Sequence, residues 1–126
     1  MAYKDLTVLI VDDFITMRRI VRKILRDLNF EDIIEAEDGS AALDVLKRTR
    51  VDLIVSDWNM PRMTGLELLK EVRSTDSIKD IPFLMVTAES QKENIVEAVK
   101  ARVSNYIVKP FTAAVLEEKL AKILAR

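Results

Sequence analysis

The chain has 126 residues and a mass of 14.4 kDa, so one domain spanning residues 1–126 is expected. Apolar residues make up 49%, enough for a buried core, while a net charge of -1 and a pI near 5.6 give no basis for wholesale nucleic-acid or membrane-surface binding. The chain contains no cysteine and no histidine, which excludes disulfides, thiolate and imidazole metal sites and the commonest general base. Any chemistry must rest on carboxylates, lysine, hydroxyls and a bound ion.

The start, Met1-Ala2-Tyr3-Lys4-Asp5, has no apolar signal core, and no apolar run approaches the roughly 20 residues that span a bilayer. A soluble cytoplasmic protein is therefore expected. Leu6-Thr7-Val8-Leu9-Ile10-Val11 reads as a strand ending in Asp12-Asp13. From Phe14 the period becomes helical, and Met17, Ile20, Val21, Ile24, Leu25 and Leu28 predict one buried stripe. Arg18, Arg19, Arg22, Lys23 and Arg26 take the other face; without interleaved aromatic residues they fit a solvated face better than a phosphate or nucleic-acid site. Asn29 reads as a left-handed helix cap. Ile33-Ile34-Glu35-Ala36 is a second strand, and Asp38-Gly39-Ser40 turns into a helix with Ala42, Leu43 and Leu46 inward.

Leu53 to Val55 is the third strand, leading to Asp57, with Asn59 and Pro61 making the loop beyond. Thr64 and Glu67 have the spacing of a capping box for a helix from Gly65, whose Leu68, Leu69 and Val72 face the core. Ser74 to Asp80 is a polar loop, and Pro82 opens a fourth strand ending in Thr87-Ala88. Glu93 to Ala101 predicts a helix with Ile95, Val96 and Val99 on one face. Tyr106-Ile107-Val108 is the fifth strand and ends in Lys109-Pro110; Thr112 to Leu124 is the last helix, with Leu116, Leu120 and Ile123 inward. Five strands alternating with five helices predict a parallel sheet covered on both faces, joined by right-handed crossovers. In such a sheet all strand ends share one edge, where ligands bind.

That edge would gather Asp12, Asp13 and Asp57 with Thr87 and Lys109. Three carboxylates together are costly unless a cation neutralises them or a pKa rises, and a hard divalent ion such as Mg2+ suits an all-oxygen site. A lysine and a hydroxyl beside it suit a phosphoryl group, and the carboxylate itself can be the nucleophile that forms an acyl phosphate. Each group also has an ordinary reading. An aspartate after a strand is a common turn or cap residue, Asp12-Asp13 suits a helix start, Thr87 could be an N-cap and Lys109 a surface lysine.

The constellation Asp12-Asp13, Asp57, Thr87-Ala88 and Lys109-Pro110 resembles the receiver domain of two-component response regulators, over essentially the whole chain. Longer stretches, including Val11-Asp12-Asp13-Phe14, Thr16-Met17-Arg18-Arg19 and Ser56-Asp57-Trp58-Asn59-Met60-Pro61, are similar to the single-domain chemotaxis branch of that family. Val86-Thr87-Ala88-Glu89 and Lys109-Pro110-Phe111-Thr112 extend the match. The resemblance implies a flavodoxin-like α/β fold, with a five-stranded parallel sheet in the order 2-1-3-4-5 and five helices on both faces. It implies that Asp57 accepts a phosphoryl group from a CheA-like histidine kinase. Asp13, Asp57 and the backbone carbonyl of Asn59 would bind Mg2+, with Asp12 acting largely through water, and Lys109 and Thr87 would contact the phosphoryl oxygens.

Thr87 and Tyr106 are then the switch residues, a local charge event biasing a two-state element. Asn59 and Glu89 would tune dephosphorylation, which a CheZ-like phosphatase could assist. Lys92, Ile95, Tyr106, Val108 and Lys119 would meet a FliM-like flagellar switch protein. The resemblance further implies a cis Lys109-Pro110 bond and a monomeric signalling protein that assists its own phosphorylation and dephosphorylation rather than a turnover enzyme. From spacing alone, Tyr106 reads equally as a surface aromatic, and the face of Ile95 and Val99 as core.

Only Gly39 and Gly65 are present, and Asn29, Arg102 and Asn105 stand where the family commonly has glycine. Asparagine tolerates positive φ better than arginine. This pattern suggests a chain engineered or selected for a stiffer unfolded state. Two other functions compete. A receiver of another pathway, or an engineered receiver scaffold without a flagellar partner, draws support from Arg102 and Asn105 beside the output face. A flavodoxin-like cofactor protein or hydrolase is disfavoured by Asp12-Asp13 where a glycine-rich phosphate loop would stand and by the lack of a Ser/His pair.

Overall fold

Apolar runs of strand length, separated by amphipathic stretches, fold in the computed structural model into five strands and five helices; the structure describes residues 3–88 and 92–125. In chain order these are β1 (Thr7–Val11), α1 (Ile15–Asp27), β2 (Asp32–Ala36), α2 (Gly39–Arg48) and β3 (Leu53–Asp57). Then come α3 (Gly65–Arg73), β4 (Phe83–Thr87), α4 (Lys92–Lys100), β5 (Asn105–Val108) and α5 (Ala113–Leu124). All strand pairs are parallel, and the order is β2-β1-β3-β4-β5, as the resemblance implies. The register sets Val8 beside Leu53, Ile54 beside Phe83 and Met85 beside Tyr106.

Alternate residues of each strand point to opposite faces, which splits the core in two. On one face Leu9, Val11, Ile54, Phe83 and Met85 pack with Ala42 and Leu46 of α2, Leu68, Leu69 and Val72 of α3, and Ala98 of α4. On the other Val8, Ile10, Leu53, Val55, Leu84, Val86 and Ile107 pack with Val21 and Leu25 of α1 and Leu116 and Leu120 of α5. β3 and β4 are buried along their whole length, which is why their sequences are apolar without alternation.

Helix ends follow their local chemistry. Thr64 and Glu67 form the expected capping box on α3, and Asp38 and Thr112 cap α2 and α5 through the N–H groups of Ala41 and Val115. At the end of α1 the Asn29 N–H donates to the Arg26 carbonyl and the Phe30 N–H to the Leu25 carbonyl, with Asn29 at φ 76°. That is a Schellman motif with its apolar contact between Phe30 and Leu25. The same motif closes α4, where Arg102 sits at φ 66° and the N–H groups of Arg102 and Val103 reach the carbonyls of Val99 and Ala98. The left-handed positions at 29 and 102 are thus real, whereas Asn105 lies in β5 without positive φ. A side chain at φ above zero is strained, so replacing glycine there does not stabilise through the unfolded state, and the stiffening rationale fails at these two positions.

Three expectations about burial need correction. Ala98 of α4 is buried in the core, with Ala101 just past the helix packed beside it, while Val96 and Val99 are 48% and 61% exposed. The side of α4 that meets the sheet is thus the one carrying the small Ala98, not the one carrying Val96 and Val99. Ile20 of α1 is 48% exposed rather than part of the buried stripe. In the opposite sense, Arg18 is not on a solvated face: its side chain is 14% exposed and pairs through Nε with Glu35 at 3.0 Å, and Arg22 pairs with the same carboxylate at 3.0 Å.

Candidate functional site

The C-terminal edge of the sheet gathers its polar residues one strand at a time. Asp12 follows β1 directly, its N–H donating to the Ala36 carbonyl at 3.2 Å, so the strand pairing continues one residue and holds the carboxylate at the edge. Asp12 is 4% exposed, and its Oδ1 accepts the Phe14 N–H at 2.9 Å. Phe14 makes no side-chain cap to α1, so this carboxylate satisfies a donor at the helix entrance. The Arg18 guanidinium donates to the Asp12 carbonyl oxygen at 2.5 Å, bracing the residue from α1. Asp13 is exposed.

Asp57 ends β3 and is 5% exposed. The Trp58 N–H donates to the Val86 carbonyl at 2.8 Å, and the Gly65 N–H returns to the Trp58 carbonyl at 2.8 Å, closing the base of the loop between β3 and α3. A Cβ on Gly65 would lie 2.2 Å from the Asp57 carbonyl oxygen and 3.0 Å from Trp58 Cα, so α3 can start this close to the acceptor strand only because residue 65 has no side chain. Thr87 ends β4, buried at 4% exposure, and its carbonyl accepts the Lys109 N–H at 2.7 Å. That bond carries Lys109 inward past the end of β5. The Lys109–Pro110 bond is cis, as the resemblance implied.

The side chains then meet. Lys109 Nζ lies 3.0 Å from Asp57 Oδ1 and 3.9 Å from Asp12 Oδ2. One carboxylate oxygen from each of Asp12, Asp13 and Asp57 lies within 4.8 Å of the others. Burial pushes the carboxyls of Asp57 and Asp12 above the usual range; the Lys109 ammonium works against this at Asp57, and the Phe14 N–H does so at Asp12. One ammonium therefore does not fully compensate the buried carboxylates. The donor set is all oxygen and in excess of negative charge, which fits a hard divalent cation of the Mg2+ kind.

Of the remaining sequence candidates, Asn59 lies exposed in the loop two residues beyond Asp57. Tyr106 is half-buried against the α4 side of the sheet, with Lys119 Nζ 5.2 Å from its ring centroid. Its N–H donates to Asn105 Oδ1 at 2.8 Å, and that oxygen is 3.5 Å from Lys119 Nζ. Ile95 and Val108 are half-buried. Ile95 lies on α4, Tyr106 and Val108 on β5 and Lys119 on α5. Glu89 and the side chain of Lys92 fall outside the described residues.

Sequence reasoning missed the brace from Arg18, the steric need for Gly65, and an ion pair between Arg62 Nη2 and Asp38 Oδ2 at 2.8 Å. The scarcity of glycine was the available signal for Gly65; the two arginines had none. A groove of about 940 Å3 opens at the opposite edge of the sheet, lined by residues such as Leu6, Val51, Asp52 and Pro82 that precede the strands, and takes no part in this chemistry.

A parallel sheet in this order, with acidic residues after β1 and β3 and a lysine after β5, defines a response regulator receiver domain. The model of that family, the response regulator receiver domain, matches residues 8–121, and the chain belongs to it. Among its relatives, the chain is 55% identical over 123 residues to "Chemotaxis protein CheY-3" of Vibrio cholerae, covering 98% of this chain and 95% of the relative. It is 54% identical over 119 residues to "Chemotaxis protein CheY" of Pseudomonas aeruginosa, covering 94% and 96%. Among solved structures, the chemotaxis response regulator CheY4 of Vibrio cholerae superposes with a TM-score of 0.87 at 38% identity, covering 94% and 98%. The receiver domain of a signal transduction histidine kinase from Syntrophus aciditrophicus does so with 0.87 at 28% identity, covering 95% and 90%.

Proposed function

We propose that this chain works as one receiver unit, a phosphorylation-switched response regulator of the chemotaxis type. The observation that carries the reading is the Lys109 ammonium 3.0 Å from the buried Asp57 carboxylate, with Asp12 and Asp13 at its flank. Asp57 is the acceptor. Its carboxylate oxygen attacks phosphorus in a phosphohistidine, forming the acyl phosphate as the N–P bond breaks and the imidazole leaves. Lys109 works against the burial that raises the Asp57 carboxyl and then faces the phosphoryl oxygens, as does Thr87.

Asp13, Asp57 and the Asn59 backbone carbonyl would hold Mg2+, with Asp12 acting largely through water. When bound, the ion offsets the charge of the carboxylates and of the arriving phosphoryl group. Thr87 and Tyr106 carry the switch. Asn59 and Glu89 tune the loss of the phosphoryl group to water, and the protein is a switch rather than a turnover enzyme.

The names of the relatives support chemotaxis as the pathway. The donor is then a CheA-like histidine kinase, the target a FliM-like flagellar switch protein reached through Lys92, Ile95, Tyr106, Val108 and Lys119, and the phosphatase CheZ-like. A monomer in the cytoplasm fits this role, and among the described residues no helix is long and apolar enough to cross a membrane.

Trp58, the only tryptophan, adjoins Asp57 and is 9% exposed, so it reports on the site directly. Titrating Mg2+ and then beryllofluoride, a phosphoryl stand-in, is expected to quench its fluorescence saturably, and Asp57→Asn or Asp13→Ala to remove the response. A folded protein that responds to neither ligand would refute the reading. A FliM-derived peptide that binds only with beryllofluoride present supports the flagellar target; uptake of the mimic without peptide binding would point to a receiver of another pathway.

A further inference from the structure

The loop from Trp58 to Thr64 is held in an unusual shape. Its base is closed by the Gly65 N–H to the Trp58 carbonyl. At its tip the Met63 N–H donates to the Pro61 carbonyl at 2.7 Å across Arg62, whose φ is 67°. A hydrogen bond from residue i+2 to residue i around a positive φ is the strained form of the γ-turn, and it persists only where surroundings enforce it. Two contacts to the start of α2 provide that enforcement. The Arg62 guanidinium reaches Asp38 Oδ2 at 2.8 Å, and Met63 lies where a Cβ on Gly39 would come within 2.6 Å of its Sδ. Asp38 is 7% exposed and its other oxygen caps α2 through the Ala41 N–H at 2.8 Å, so the carboxylate is fixed on both sides. Met60, inside the loop, is buried in the core.

We infer that the Asp38–Arg62 pair is a latch that holds the acceptor loop in this strained turn, and thereby holds Asn59 and the Asp57 end of β3 in the geometry that binds the cation. Arg62 and Asp38 are positioning residues: neither touches the reacting atoms. The inference rests on the metal-site reading for its effect on the cation, but not for its effect on the loop.

Two measurements on the full chain separate these. Arg62→Ala and Asp38→Ser break the pair, and serine keeps the α2 cap. Amide hydrogen exchange of residues 59, 60 and 62–64, without any ligand, is expected to rise about threefold in either variant, the scale of a partly exposed ion pair. Mg2+ affinity read from Trp58 is expected to weaken by about the same factor, while Arg62→Lys, which keeps the cation, stays within about twofold of the parent. The double variant should lose no more than either single one, because both break one interaction. Unchanged exchange in both single variants, or additive losses in the double one, overturns the latch. Faster exchange in the two single variants, with a parent that itself shows no Mg2+ response, would uphold the latch on the loop and sink the metal reading instead.

Discussion

Gly65→Ala inserts a methyl group where the start of α3 meets the end of β3. The new Cβ would stand 2.2 Å from the Asp57 carbonyl oxygen, 2.8 Å from Met85 Sδ and 3.0 Å from Trp58 Cα. The first of these is about 1 Å inside the ~3.3 Å at which carbon and carbonyl oxygen normally touch. Two of the three neighbours are backbone atoms of β3 and its extension, which cannot rotate away, so α3 or the acceptor strand must move. Overpacking of this kind costs about 3 kcal/mol, against a total stability of about 10 kcal/mol for a domain of this size. The variant should fold, with a urea midpoint lower by about 2 M. Gly39→Ala is the matched control. There the close atoms all belong to the Met63 side chain, whose Sδ and Cγ can swing aside while Cβ, at 2.9 Å, needs only a small shift of the loop, and the expected loss is about 1 kcal/mol. Denaturation followed by circular dichroism, with Mg2+ titrations of both variants, measures the contrast. If Gly65→Ala costs no more than Gly39→Ala and binds Mg2+ as the parent does, the claim that this glycine seats Asp57 is wrong.

Acid titration tests the electrostatics of the site. Burial raises the Asp57 carboxyl above its ordinary value, so the folded metal-free protein holds that proton more tightly than the unfolded chain. The stability linked to it is full below the ordinary carboxylate value, about 3.9, and is lost as pH rises through the folded one. The stability of Asp57→Asn relative to the parent should therefore increase with pH over that window, and saturating Mg2+ should restore the parent at neutral pH. A difference independent of pH would contradict this. The left-handed caps offer a third test. Asn29→Gly should raise stability by about 0.5 kcal/mol by relieving positive φ, and Asn105→Gly should lower it by about 1 kcal/mol because that residue is in a strand. Equal shifts in melting temperature at the two positions would count against the assignment of their backbone.

Much of this architecture could be read from residue order because the strands are buried on both faces and their apolar runs stand out from the helices. The capping box at Thr64 and the left-handed cap at Asn29 were legible for a similar reason: both depend on neighbours within a few residues. What was not legible depends on distant partners. Arg18 was read as solvated because its period on α1 faces outward, but β2 supplies Glu35 and β1 the Asp12 carbonyl to meet it. Val96 and Val99 look like core by hydropathy, yet the helix turns its smaller Ala98 to the sheet. At the candidate site, chain order indicated which groups reach the edge. It did not show that Lys109 stands nearer to Asp57 than to Asp12, or that the loop after Asp57 is tied to α2.

The use made of the two glycines bears on how this surface can be altered. Neither adopts positive φ; both stand where another group leaves no room, and the left-handed positions carry Asn29, Arg62 and Arg102 instead. A bend can be paid for by any side chain that finds a partner, and both arginines have done so: Arg62 reaches Asp38, and Arg102 exchanges hydrogen bonds with Arg73 across the far loops. Crowding against backbone, as at Gly65, has no such remedy. The bends are thus places where new interactions can be grafted onto the domain, while position 65, hemmed in by backbone, admits no graft at all.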